Sequence, residues 1–151
     1  MKISHPVFKG LAVAAIAALT LAGCASAPAE PTVTPIDYKA CMVSDAGGFN
    51  DASFNQEAYA GLKQAETELG VKIASVESPE KATQTDYVSG LDSMVGEGCN
   101  LIITVGFALA TATRDAAKTH PDVNFAIIDS ALSNDDYSPL SLPNVKPIQY
   151  D

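Results

Sequence analysis

Five short apolar runs, Lys39–Ser44, Val71–Val76, Leu101–Val105, Asn124–Ile128 and Val145–Gln149, recur along the chain with amphipathic segments between them. Each run is too short for a helix and almost continuous in apolar character, which is the pattern of a strand covered on both faces. In the first interval Phe54, Ala58, Leu62, Ala65 and Leu69 fall at helical spacing, opened by Ser53 with Gln56 three residues on and stopped by Gly70. The second interval repeats the device. Thr83 and Asp86 begin it, Tyr87, Val88, Leu91, Met94 and Val95 share a face, and Gly98 ends it. A third helix is expected from about Ala108 to Thr119, before Pro121. Strands alternating with helices predict an α/β fold, a doubly wound parallel sheet with helices on both faces. Pro147 removes a ladder donor from the fifth run, so that strand belongs at an edge. With 47% hydrophobic and 18% charged residues, disorder, collagen-like repeats and coiled coils are excluded.

The first segment reads as an address. Lys2 and Lys9 precede a short apolar stretch from Gly10 to Gly23 that closes on small residues, as an export signal does. Leu21-Ala22-Gly23-Cys24 looks like the lipobox of bacterial lipoproteins, so residues 1–23 are expected to be a cleaved signal peptide and Cys24 the lipidated residue. An ordinary secretion signal with a chance cysteine is the alternative. Residues 24–37 are Pro-rich without apolar period and read as a flexible spacer. The expected location is therefore the outer face of the cytoplasmic membrane, held there by lipid.

The formal charge is −9, and the leader contributes two lysines and no acid, so the remainder is more acidic still. Such a surface repels phosphate backbones, and no basic stripe interleaves with aromatics. Nucleic-acid partners are not expected.

In open parallel sheets ligands meet the carboxyl ends of the strands. Three loops occupy that edge: Asp45-Ala-Gly-Gly-Phe-Asn-Asp-Ala-Ser-Phe-Asn55 after the first strand, Gly106-Phe107 after the third, and Asp129-Ser130 after the fourth. The first combines tight-turn glycines, carboxylates, an amide and the rings of Phe49 and Phe54, a set suited to a flat ligand with polar edges. Phe54 also fits the apolar helix face, so core packing and ligand stacking are both open for it. Phe49 could plug the loop. Asp51 reads as a helix cap or dipole partner. Asp45 and Asp129 stand at strand ends, where a carboxylate needs a donor or a cation.

An enzymatic reading finds little. His120 is the single histidine beyond the leader, and no phosphate-loop, dinucleotide, H-E-x-x-H or C-x-x-C pattern is present. Its best form is a metal-dependent hydrolase with Asp45 and Asp129 on Mg²⁺. No cofactor is called for. Cys41 and Cys99 fall at or near adjacent strands of such a sheet, where a disulfide is geometrically possible, and buried free thiols are the alternative.

The spacing Asp45-x-Gly-x-Phe-x-Asp-x-Ser-Phe-Asn55, with Ile-Ile-Thr-Val-Gly106-Phe107 and Phe-Ala-Ile-Ile-Asp129 downstream, closely resembles the basic membrane protein or purine nucleoside receptor family. These are the substrate-binding subunits of nucleoside ABC importers, and the match runs from about Tyr38 to Asp151. The resemblance implies a type I periplasmic-binding fold of two lobes, with residues 38–151 forming the N-terminal lobe and the second lobe missing from this chain. It implies that Asp45 and Asn55 contact the base, that Phe54 stacks on it, and that Gly106, Phe107 and Asp129 lie near the ligand. The partners it implies are a nucleoside, an ABC permease with its ATPase, and the membrane through Cys24. A sugar or other small-molecule receptor of the same fold is the alternative.

Overall fold

The computed structural model describes residues 33–135, 138 and 140–149. The expected signal peptide, Cys24 and the expected spacer up to residue 32 lie outside the described residues. Five strands, β1 (Lys39–Val43), β2 (Lys72–Val76), β3 (Leu101–Val105), β4 (Asn124–Ile128) and β5 (Val145–Ile148), form one parallel sheet in the order β2-β1-β3-β4-β5. The chain leaves β1 toward β2 on one side and returns to β3 on the other. That reversal opens a crevice at the carboxyl ends of β1 and β3. β5 is an edge of this sheet, with Pro147 opposite Ile127.

Helices α1 (Phe54–Leu69), α2 (Gln84–Gly96) and α3 (Ala110–Thr119) complete the layers, α3 being entered through a 3₁₀ turn at Phe107–Leu109. Side chains of each strand alternate between two cores. Ala40 and Met42 pack with Leu62 of α1 and Val105, whereas Cys41 and Val43 pack with Tyr87, Leu91 and Met94 of α2 and with Ala112 and Ala117 of α3. The sheet is thus covered by α1 on one face and by α2 and α3 on the other, the doubly wound arrangement that the alternating runs predict. Three expected core positions differ: Phe54, Leu69 and Val88 are exposed. Phe54 and Leu69 are the first and last residues of α1, where the helix has begun or ended beyond the sheet's cover.

The helix ends follow local chemistry, with one correction. Thr83 donates through both its amide and its hydroxyl to Asp86 Oδ2, at 2.8 and 2.7 Å, a closed N-terminal turn on α2. On α1 the Ser53 side chain makes no capping bond. Asp51 does that work instead, its Oδ1 accepting the amides of Ser53 (2.8 Å) and Gln56 (3.1 Å). Gly70 closes α1 at φ 71°, and a Cβ there would lie 2.6 Å from the Thr34 carbonyl oxygen. The end of the spacer is therefore not free: the Ile36 amide donates to the Gly70 carbonyl at 3.0 Å, and the Lys72 amide to the Tyr38 carbonyl at 2.9 Å.

Of the two readings open for the cysteines, the structure shows the disulfide. Cys41 and Cys99 are bonded with Cα atoms 5.9 Å apart, both side chains buried. The bridge ties the middle of β1 to the turn that feeds β3.

Candidate functional site

The loop after β1 is built around one buried amide. Asn55 is 2% exposed, and its Nδ2 donates to Asp45 Oδ1 at 2.8 Å and to Asp51 Oδ2 at 2.9 Å. Its Oδ1 accepts the Asp45 amide at 3.3 Å, and its own amide donates to Asp51 Oδ2 at 3.3 Å. Asp45 Oδ1 also accepts the Gly47 amide at 2.9 Å. Gly47 has no room for a side chain in this knot, since a Cβ would sit 3.1 Å from Asp45 Oδ1 and 3.3 Å from Asn55 Nδ2.

The other oxygen of Asp45 faces the neighbouring strand end. Gly106, at φ 89°, comes so close that a Cβ would meet Asp45 Oδ2 at 2.7 Å. Topology explains the meeting, because Asp45 follows β1 and Gly106 follows β3, and those strands are adjacent at the reversal of strand order. Among the described residues no hydrogen bond reaches Oδ2. A carboxylate oxygen with unused lone pairs at a strand end is an acceptor for a ligand N–H or O–H.

Partial burial pushes the Asp51 carboxyl upward. The hydrogen bonds from the Asn55 amide and from the backbone amides of Ser53, Gln56 and Asn55 outweigh it and hold the group below the usual carboxylate range. Tyr87 of α2 is shifted in the opposite sense for a different reason. Its burial, and then the charge of Asp45, raise the phenol above its ordinary value, while a backbone hydrogen bond at Ala46 works against them.

Of the residues predicted from sequence, the structure brings Asp45, Asn55 and Gly106 together. Phe54 precedes Asn55 on the first turn of α1 and is 39% exposed, so the core reading of its spacing does not hold. Phe107 opens the 3₁₀ turn beside Gly106 and is 80% exposed. Asp129 follows β4 in the left-handed conformation at φ 57°, exposed, its amide donating to the Ile148 carbonyl at 2.9 Å. Phe49, by contrast, is a plug: it is buried and stacks on Tyr59 with centroids 4.3 Å apart. Among the described residues no group of three or more His, Cys, Asp or Glu side chains is placed to hold a metal ion.

Two supports escaped the sequence reading. Glu77, after β2, accepts the Phe49 amide at 2.7 Å and so clamps the far side of the loop. Ser78 donates its hydroxyl to the Ser44 carbonyl at 2.7 Å, and its amide to Ser44 Oγ at 3.2 Å. Both residues lie just past the end of a parallel neighbour of β1, and that position is their only sequence signal. An open depression of about 740 Å³, lined by Asn50, Gln56, Tyr59, Lys63, Ser75 and Glu77 among others, lies on this flank of α1 and includes none of the predicted site residues.

A family model for ABC transporter substrate-binding proteins, PnrA-like, matches residues 38–151. The chain is 36% identical over 126 residues to the ABC transporter nucleoside-binding protein BmpA of Lactococcus lactis subsp. cremoris, a match covering 82% of this chain and 36% of that protein. It is 38% identical over 93 residues to an uncharacterized lipoprotein of Pyrococcus horikoshii, covering 61% of this chain and 22% of the relative. A solute-binding protein of an ABC transporter system from Aeropyrum pernix K1 superimposes with a TM-score of 0.60 at 29% identity, over 73% of this chain and 28% of that one. The chain thus spans about a third or less of the length of the curated relatives it matches. Its parallel sheet and helix cover are those of a type I periplasmic-binding fold, and the chain belongs to the Bmp family of PnrA-like ABC transporter substrate-binding proteins.

Proposed function

We propose that this chain contributes to nucleoside uptake as part of a lipid-anchored substrate-binding protein. It takes a nucleoside, purine by preference, outside the cytoplasmic membrane and hands it to an ABC permease. The ligand is bound and released unchanged, so no residue is assigned a catalytic role. The observation that carries the reading is the free Oδ2 of Asp45, set against Gly106 and one buried amide away from the exposed ring of Phe54. A nucleobase offers both an N–H edge for such an acceptor and a flat face for such a ring. The Lactococcus relative is a nucleoside-binding protein, which supports the same class. Phe107 and Asp129, exposed at the adjacent strand ends, border the same crevice edge and are proposed to contact the ligand from that side.

The test is a titration of the chain with inosine, guanosine, adenosine, cytidine, uridine and free ribose, followed by NMR. Nucleosides are expected to move resonances of the 45–55 loop and Gly106, with purines binding ahead of pyrimidines. Ribose matching the nucleosides would favour a sugar receptor of the same fold instead.

A further inference from the structure

The expectation that Asn55 touches the base sits poorly with its surroundings. Its carboxamide has two hydrogens, and both are committed to carboxylates, one to Asp45 Oδ1 and one to Asp51 Oδ2. Its oxygen accepts the Asp45 amide, and the residue is 2% exposed. A ligand could reach this amide only by displacing bonds to two charged groups. Those bonds are the strong kind.

The same bonds explain how the acceptor of the proposed site is aimed. A free Asp side chain rotates about two torsions, and its oxygens are interchangeable. Here Oδ1 is held from two sides, by the Asn55 amide and the Gly47 amide, which leaves Oδ2 turned toward Gly106. Asp51 completes the device. It anchors the other hydrogen of Asn55 and, through the Ser53, Asn55 and Gln56 amides, fastens that same amide to the first turn of α1.

We infer that Asn55 is a positioning residue: it clamps the Asp45 carboxylate to the start of α1 so that Oδ2 alone is presented to the ligand, and it makes no contact with the ligand itself. This rests on the nucleoside reading for what Oδ2 receives, while the clamp can be judged without any ligand.

The experiment uses isotope-labelled chain in four forms: wild type, Asn55→Ala, Asp45→Asn and the double variant. Phe125→Leu, a core change on β4 in the cluster that does not include the loop residue Phe49, serves as the control for loss of stability. Without ligand, Asn55→Ala is expected to shift the Asp45 ¹³Cγ resonance, and Phe125→Leu to leave it in place. On titration with inosine, Asn55→Ala is expected to weaken binding about tenfold or more, the size of losing a hydrogen bond to a charged group. In the Asp45→Asn background the same change should cost less than about twofold, because no carboxylate remains to be aimed. Equal losses in both backgrounds would make Asn55 a direct contact and overturn the proposal, as would an Asp45 resonance indifferent to Asn55. If Asn55→Ala fails to fold, Asn55→Ser keeps one donor but cannot span both carboxylates, and it carries the same comparison. Should inosine leave the wild type unmoved, or bind Asp45→Asn as well as wild type, the nucleoside reading fails and the ligand-free resonance still decides the clamp.

Discussion

At the scale of single residues, exposure separates what the motif alone could not. Phe49 and Phe54 look equivalent in sequence, yet one ring stacks on Tyr59 in the core and the other is exposed. Phe54→Ala is therefore expected to cost less stability than the roughly 3–5 kcal/mol of truncating a fully buried Phe. Nucleoside affinity should fall by roughly 1–3 kcal/mol, the range of base–aromatic stacking. Phe54→Leu should match wild type in melting temperature but not in calorimetric affinity; equal affinity in all three would remove the ring from the site. Asp51 predicts the reverse pattern. It caps α1, and Asp51→Ala should cost about 1 kcal/mol of stability. Because the folded protein holds its carboxyl below the ordinary 3.8, its contribution is full above that value and is lost as pH falls through the lower, folded one. Melting curves of wild type and Asp51→Asn should therefore differ near neutral pH and converge in strong acid. The cap role of Asp51 was legible from its place before a helix. The bridging role of Asn55 was not, because an amide that can both give and accept is compatible with any neighbour until the fold supplies one.

At the scale of elements, sequence period carried nearly everything. All five strands and all three helices stand where apolar runs and amphipathic spacing put them, since a parallel sheet buried on both faces leaves no freedom in where its apolar residues go. What period cannot convey is which strand ends meet. Asp45 and Gly106 are far apart in sequence and touch only because the order β2-β1-β3 sets their strands side by side. The clamps from Glu77 and Ser78 have the same origin. Two tests belong here. The disulfide closes a loop of sequence separation 58 around α1, β2 and α2, and the paired change Cys41→Ala and Cys99→Ala should cost about 4 kcal/mol by loop-closure entropy, read as a lower denaturation midpoint. Gly70→Ala forces a side chain into a left-handed turn against the Thr34 carbonyl, and it should destabilise by more than the ~1–2 kcal/mol of that conformation alone. A variant as stable as wild type would show that the residues before β1 are not packed as described.

At the scale of the whole molecule, the described residues form one lobe with the proposed ligand edge on its rim. A ligand clasped between two lobes draws on both and on the water expelled as they close. Loss of even about 4 kcal/mol of contacts from a second side weakens a micromolar ligand about a thousandfold. Near-millimolar nucleoside binding is accordingly expected of this chain, and micromolar binding to its monomer would overturn the two-sided account. The anchor has its own test. Protein extracted from membranes should carry a diacylglyceryl mass on a new N-terminus at Cys24, and Cys24→Ala should move it to the soluble fraction. The spacer reaches the lobe at Ile36, stitched to Gly70 just ahead of β1 and β2. Those are the amino ends of the strands, and Asp45 and Gly106 stand at the carboxyl ends, five residues and about 16 Å away along β1. A pull applied to the chain ahead of Ile36 would therefore load the heel of the sheet and not the toe, where Asp45 and Gly106 stand.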